Sequence, residues 1–144
     1  NIGYNRLPYL DISESALEKS KKFLGEQSNK VRWVNEDILN FKTDERFDIW
    51  HDRAVFHFLK EENHIKKYID IVEKNISDGG HLIIGTFSEN GPLKCSGLEV
   101  SRYSKKVIEK LFNKTFKLID AFHFDHITPF NTTQNFLFSH FIKK

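Results

Sequence analysis

A chain of 144 residues, 39% hydrophobic and 29% charged, has the size and balance of one globular domain rather than a disordered or fibrous segment. Its 22 basic residues nearly cancel its 20 acidic ones, and no lysine–arginine stripe interleaved with aromatics stands out, which argues against nucleic acid as a partner. No apolar run reaches the length of a membrane span, and the single cysteine, Cys95, excludes an intrachain disulfide and points to a reducing, cytoplasmic setting.

The first predicted element is a strand over residues 7–12, with Pro8 tolerated near its start. It delivers Asp11 into a turn. A helix is predicted from Ser13 to Leu24, with Ala16, Leu17, Phe23 and Leu24 on one face and Gly25 as its C-terminal cap. Val31–Val34 reads as a second strand, closing on Asn35-Glu36-Asp37. Residues 47–52 read as a third, followed by a turn of helix from Arg53 to Leu59. Ile65, Tyr68, Ile69, Val72 and Ile76 then recur at three- and four-residue spacing, the mark of an amphipathic helix. Asp78-Gly79-Gly80 breaks it. The run Leu82-Ile83-Ile84 within 81–87 predicts a strand covered on both faces. A long polar loop, 88–101, precedes a helix from about Ser104 to Phe112.

The last third alternates with period two. Phe116, Leu118, Asp120, Phe122 and Phe124 are placed on one face, and Phe136, Phe138 and His140 follow the same rule, which predicts an antiparallel pair joined at 125–133. Strand–helix repeats ending in a hairpin make the fold class α/β, one domain over 1–144, with no internal repeat or linker. The three Asn-x-Ser/Thr triplets, at Asn75, Asn113 and Asn131, are read as chance in an Asn-rich chain.

Asp11 carries the first chemistry. A carboxylate at a strand end, just before a helix, can accept hydrogen bonds from both vicinal hydroxyls of a ribose. The competing reading is a local cap for helix amides. His51-Asp52 invites a metal-hydrolase reading, but the further ligands such a site needs are not suitably placed, so no metal is expected. Arg53 is suited to an anionic substrate or to one of the chain's own acids. His57 is either a general base or a helix histidine. The polar loop suits a lid, with Arg102 and Tyr103 as pocket residues. His126 belongs to a polar cluster at the hairpin, where turn chemistry competes with substrate contact. Cys95 reads as a free thiol without catalytic duty.

Taken in order, these segments resemble the class I S-adenosylmethionine-dependent methyltransferases over nearly the whole chain. Leu10-Asp11-Ile12-Ser13 with Ala16-Leu17 resembles the family's second strand and ribose-binding acid. Glu36-Asp37-Ile38 resembles the loop after strand three that flanks adenine, and Phe47-Asp48-Ile49-Trp50 resembles strand four. Ser77-Asp78-Gly79-Gly80-His81 is similar to the glycine-pair turn into strand five, and the Phe-rich hairpin resembles the reversed seventh strand. The resemblance implies a Rossmann-like, doubly wound, mostly parallel sheet with an antiparallel C-terminal hairpin. It implies S-adenosyl-L-methionine as cofactor, held by Asp11, Ile12, Asp37, Ile38 and Asp52. It also implies a small-molecule acceptor contacted by Arg53, Phe56, His57, Arg102, Tyr103 and His126, with His57 and Tyr103 as catalytic candidates. Asp-Arg-Ala at 52–54 is closer to small-molecule enzymes than the Asn-Pro-Pro-Tyr type.

One departure is large. The family's first strand and Gly-x-Gly loop have no counterpart, and Ile2-Gly3-Tyr4 resembles the end of the helix behind that loop. In the family's sheet order, 3-2-1-4-5-7-6, strand one links the two halves; without it, strands two and three have no partner joining them to strand four. The chain is therefore expected to belong to a longer protein, and residues 1–144 alone are expected not to bind the cofactor. Three rivals stand beside the leading reading: a methyltransferase-like binding or scaffold module, a protein side-chain methyltransferase, and a nicotinamide-dependent oxidoreductase, which the antiparallel end disfavours. Nothing in the sequence sets an oligomeric state.

Overall fold

The computed structural model describes residues 7–144, so the helix end expected at Ile2-Gly3-Tyr4 lies outside the described residues. The chain divides into two compact units, Asn1–Lys42 and Thr43–Lys144.

In the first unit, β1 (Leu7–Asp11) pairs in parallel with β2 (Val31–Asn35), from Leu7 opposite Val31 to Asp11 opposite Asn35. Between them runs α1 (Glu14–Leu24). Its start is set locally, because the Ser13 hydroxyl accepts from the Ala16 amide at 3.3 Å and satisfies one of the donors a helix start leaves open. Gly25 ends it in a positive-φ conformation (55°), its amide donating to the Lys21 carbonyl. Leu17 is buried, whereas Phe23 is 90% exposed. That corrects the expected shared face: six residues on, a 3.6-residue helix has turned Phe23 well away from the Leu17 side. Trp33 packs on Tyr9 with centroids 5.3 Å apart, and its indole N–H donates to the Ser28 carbonyl at 3.1 Å.

The second unit is built on a four-stranded sheet in the order β3-β4-β8-β7. β3 (Phe47–Arg53) and β4 (Ile76–Phe87) are parallel; β7 (Phe116–Ile127) and β8 (Thr133–Lys143) form the antiparallel hairpin. β8 inserts beside β4, placing Gly85 opposite Phe138. Two helices, α2 (Glu62–Asn75) and α3 (Lys105–Phe112), accompany it. The predicted stripe is real in α2: Tyr68, Val72 and the following Ile76 are fully buried, with Phe56, Leu82, Ile84, Ile108, Phe112 and Phe141 in the same core. At the C-terminus of α2, the Lys143 ammonium donates to the Glu73 and Ile76 carbonyls, both at 2.8 Å. This places a cation where the helix dipole favours one. The strand begins before the glycine pair rather than after it. Gly79 takes a φ of 74°, and a Cβ on Gly80 would meet the Ser77 carbonyl oxygen at 2.8 Å. Only residues without a side chain allow that backbone crossing.

Four further expectations change. Residues 53–59 form only a short 3-10 turn, Phe56–Phe58. The 88–101 loop carries a small hairpin, β5 (Lys94–Cys95) with β6 (Leu98–Glu99). In β4, Leu82 and Ile84 are fully buried but Ile83 is only half-buried, so the apolar run is not covered equally on both faces. The hairpin's alternation also breaks. A register shift between Leu118 and Asp120 sets Leu118 opposite Phe141 but Phe122 opposite Phe138. One extra residue reverses which face the later side chains take. Phe116 is therefore buried, whereas Phe122 and Phe124 are about half exposed. No helix among the described residues is long and apolar enough to cross a membrane.

Candidate functional site

Each unit contributes candidate residues at the carboxyl ends of its parallel strands, where ligands of open α/β sheets bind. In the first unit Asp11 ends β1. Its Oδ1 accepts from the Ser13 amide at 2.8 Å, and among the described residues no hydrogen bond reaches its Oδ2. Ile12 beside it is 71% exposed. The neighbouring strand end is tied to the same point: the Asn35 amide group donates to the Asp11 and Ile12 carbonyls, each at 3.1 Å, and the Glu36 amide to the Asp11 carbonyl at 3.2 Å. Asp37 then caps a short turn by accepting from the Leu39 amide at 2.8 Å. Ile38 is buried, so only its backbone is offered to a ligand. Asp11 thus holds the turn into α1 with one oxygen, and among the described residues its other oxygen has no partner.

The second unit places Asp52 at the end of β3, 5% exposed. Its Oδ1 accepts from the Val55 amide at 3.0 Å, and its Oδ2 from the Phe56 amide at 3.2 Å and the Tyr68 hydroxyl at 2.5 Å. Burial raises the Asp52 pKa above the usual carboxylate range, against the opposing pull of Tyr68 and the two amides. Burial, then the Asp52 charge, holds the Tyr68 phenol well above its ordinary range. This is a packed polar cage, and Asp52 acts by shaping the turn that follows it. Tyr68 was legible only as a core position, although a tyrosine in a buried stripe signals an acceptor waiting for its hydroxyl.

That turn carries the other candidates. Ala54 has a φ of 63°, a left-handed conformation costly for a residue with a Cβ, and its amide donates to the Gly85 carbonyl at 2.9 Å. Phe56 and His57 are fully buried. The His57 Nδ1 accepts from the Phe87 amide at 3.1 Å, which puts its proton on Nε2, and Nε2 has no partner among the described residues. Burial lowers its pKa to about 4. A general base would need that same Nδ1 or a deprotonated Nε2, so the geometry gives His57 a structural duty. Tyr103 is 5% exposed, packs on Phe56 with centroids 5.4 Å apart, and burial raises its phenol pKa. Neither catalytic candidate lies open to a substrate in this arrangement.

Arg102 closes the loop instead of lining it: its guanidinium donates to the Glu89 and Gly91 carbonyls at 2.9 and 3.2 Å. The same loop is tied to the hairpin by the Ser88 hydroxyl on the Asn135 side-chain oxygen, by the Ser88 amide on the Asn135 carbonyl at 3.0 Å, and by a close approach at Gly91, while the Asn135 side-chain amide is itself held by Asp125 across the hairpin at 2.6 Å. Arg53 is exposed, its guanidinium carbon 5.5 Å above the centre of the Phe136 ring, and His126 meets that ring edge-on at 6.3 Å. Sequence reasoning grouped Arg53 with His126 but gave no sign that Phe136, a buried core residue, lies between them. No group of three or more metal-ligating side chains occurs among the described residues.

The chain matches known proteins over nearly its full length. The methyltransferase-domain family model covers residues 9–134. A malonyl-[acyl-carrier protein] O-methyltransferase from Ilyobacter polytropus is 24% identical over 147 residues, covering 92% of this chain and 52% of that one. The structure of the N-methyltransferase NodS from Bradyrhizobium japonicum, in complex with S-adenosyl-L-homocysteine, superposes with a TM-score of 0.74 at 18% identity. It covers 96% of this chain and 66% of its own. A 1,6-didemethyltoxoflavin N1-methyltransferase from Burkholderia thailandensis gives 0.72 at 17% identity, covering 96% and 61%. This chain spans about half the length, or less, of the curated relatives it matches. The structural matches establish a Rossmann-like α/β fold with an antiparallel C-terminal hairpin.

Proposed function

The chain belongs to the methyltransferase-domain family, and on that premise we propose that it is an S-adenosylmethionine-dependent enzyme that methylates a small-molecule acceptor. The observation that carries this reading is Asp11: a carboxylate at the end of a parallel strand, one oxygen committed to Ser13 and the other open beside the exposed Ile12. An open carboxylate oxygen there fits the ribose hydroxyls of an adenosine cofactor. Asp11 would accept from those hydroxyls beside Ile12, and Asp37 with the Ile38 amide would hold the adenine. Asp52 contributes indirectly, by fixing the turn through Val55 and Phe56.

When bound, the cofactor supplies an activated methyl group for direct substitution, a reaction governed by in-line positioning. This chain's residues would orient the acceptor and exclude water. With His57 neutral and committed to the Phe87 amide, acceptors that need no strong base suit the site best. The O-methyltransferase and N-methyltransferase relatives, one named for malonyl-[acyl-carrier protein] and one for 1,6-didemethyltoxoflavin, support an acceptor group on a small molecule. One methyltransferase domain over 1–144 and a cytoplasmic setting, suggested by the free thiol Cys95, complete the reading.

Calorimetry with S-adenosylhomocysteine on the full-length protein tests it. Micromolar binding is expected, weakened at least about tenfold by Asp11→Ala and less by Asp11→Asn, which keeps one acceptor oxygen. Unfolding midpoints should barely move. No binding by the full-length wild type would replace the enzyme with a methyltransferase-like binding module.

A further inference from the structure

Arg53, Gly85, Phe138 and Phe122 occupy one row across the four strands of the second unit's sheet. Gly85 leaves a notch in that row. A Cβ there would stand 2.6 Å from the Phe138 ring, so the glycine is what lets an aromatic ring lie over β4. Phe136 is 3% exposed and is held from several sides, by Phe87 edge-on at 5.0 Å and Phe138 stacked at 5.8 Å. The Arg53 guanidinium lies over this fixed ring. Among the described residues no carboxylate pairs with Arg53, although Lys21, Lys60, Lys66, Lys74 and Lys143 each reach an acid.

Stacking engages the flat face of a guanidinium and leaves its in-plane N–H donors free, in the fork geometry that matches an oxyanion with two parallel bonds. The backbone beside it is held in a costly state, with Ala54 left-handed and the next two amides caged by Asp52. The ring beneath the cation belongs to a buried core cluster of Phe87, Val100 and Phe136, with Phe58 and Phe138 packed against it, which fixes its position. A guanidinium presented for solubility alone needs neither a buried platform nor a braced turn.

Resting on the methyl-transfer reading above, we propose that Arg53, seated on Phe136, is the anion-recognition residue of the acceptor site. It takes a carboxylate or phosphate oxyanion of the acceptor through the free N–H donors of its guanidinium. The enzyme therefore discriminates for anionic acceptors over neutral ones of the same shape.

The test uses three aryl probes on the full-length protein saturated with S-adenosylhomocysteine, followed by ligand-observed NMR titration: benzoate, its neutral isostere benzamide, and the bulkier phenyl phosphate. At least one anion should bind ten or more times tighter than benzamide, and the tighter of the two identifies the oxyanion class. Arg53→Gln should reduce that anion to the benzamide level. Arg53→Lys should restore part of the difference, since an ammonium keeps the charge but not the fork. S-adenosylhomocysteine affinity should stay unchanged in both variants. Equal binding of benzamide and both anions, or undiminished anion binding in Arg53→Gln, overturns the proposal. Loss of S-adenosylhomocysteine binding in the wild type, with anion binding intact, overturns the methyl-transfer reading and leaves the anion site standing.

Discussion

His57 has no solvent exposure, spends Nδ1 on the Phe87 amide, and is neutral down to about pH 4. Its ordinary value, 6.5, describes the unfolded chain. Above that pH both states leave it uncharged and it contributes no pH dependence. As pH falls below 6.5 the unfolded chain takes up a proton that the folded protein refuses, so stability drops until about pH 4 and then levels off. The drop is on the order of 3 kcal/mol. Asp52 runs the other way, because its raised folded value favours the acid side. Comparing wild type with His57→Asn, which keeps an acceptor for the Phe87 amide, cancels Asp52 and isolates the histidine. Urea midpoints from pH 7 to pH 4 should fall more steeply for wild type than for the variant; parallel curves would show the ring to be solvated. At this scale the sequence disclosed Asp11 and Ile12, because a strand end and a helix cap are local patterns. It did not disclose that His57 faces an amide 30 residues on or that Asp52 meets a tyrosine 16 residues on, since those pairings exist only after β4 and α2 have packed.

The elements that periodicity can specify were legible: α1 between Ser13 and Gly25, α2 with its Tyr68–Val72 stripe, and the β7–β8 hairpin. The shift near Ile119 was not, because a bulge leaves the alternation of residue types intact while reversing the faces they occupy. The 88–101 loop illustrates the same limit. Its polarity indicated a lid, and Arg102 was assigned to the pocket; the structure shows Arg102 fastening the loop through two carbonyls, with Gly91 close against the Asn135 carbonyl oxygen. Other bonds, the Ser101 amide on the His57 carbonyl at 2.8 Å and Lys60 on Glu99 at 2.6 Å among them, hold its far end, so losing Arg102 loosens the exposed residues 93 and 94 without global unfolding. Arg102→Ala should therefore raise tryptic cleavage after Lys94 several-fold under native conditions while leaving the urea midpoint within about 0.5 kcal/mol of wild type. Unchanged cleavage would mean that the hairpin contacts at Ser88 and Asn135 fasten the loop without the arginine.

The two units differ in what they bury. Among the described residues the first has Leu17 and Ile38 as its buried hydrophobics beneath a two-stranded sheet, an architecture that is marginal in water. The second buries a continuous set that includes Phe56, Tyr68, Leu82, Ile84 and Phe112 around four strands. Local opening free energy follows buried apolar area and ladder protection, so in residues 1–144 the amides of β1 and β2 should exchange at least about 100-fold faster than those of β4 and β8, a difference of about 2.7 kcal/mol. The residues proposed for the cofactor, Asp11, Ile12, Asp37 and Ile38, sit in that weaker unit. A ligand that binds only its folded form adds stability there by mass action, about 2.7 kcal/mol at a concentration one hundred times its Kd. Hydrogen exchange of residues 1–144 reads the first effect, and that of the full-length protein with and without S-adenosylhomocysteine reads the second. The expected result is a selective rise in protection at β1 and β2, with β4 and β8 little changed because they are already near the global limit. Uniform protection of all four strands without ligand would sink the division of stability, and a ligand response confined to β8 would move the cofactor residues out of the first unit.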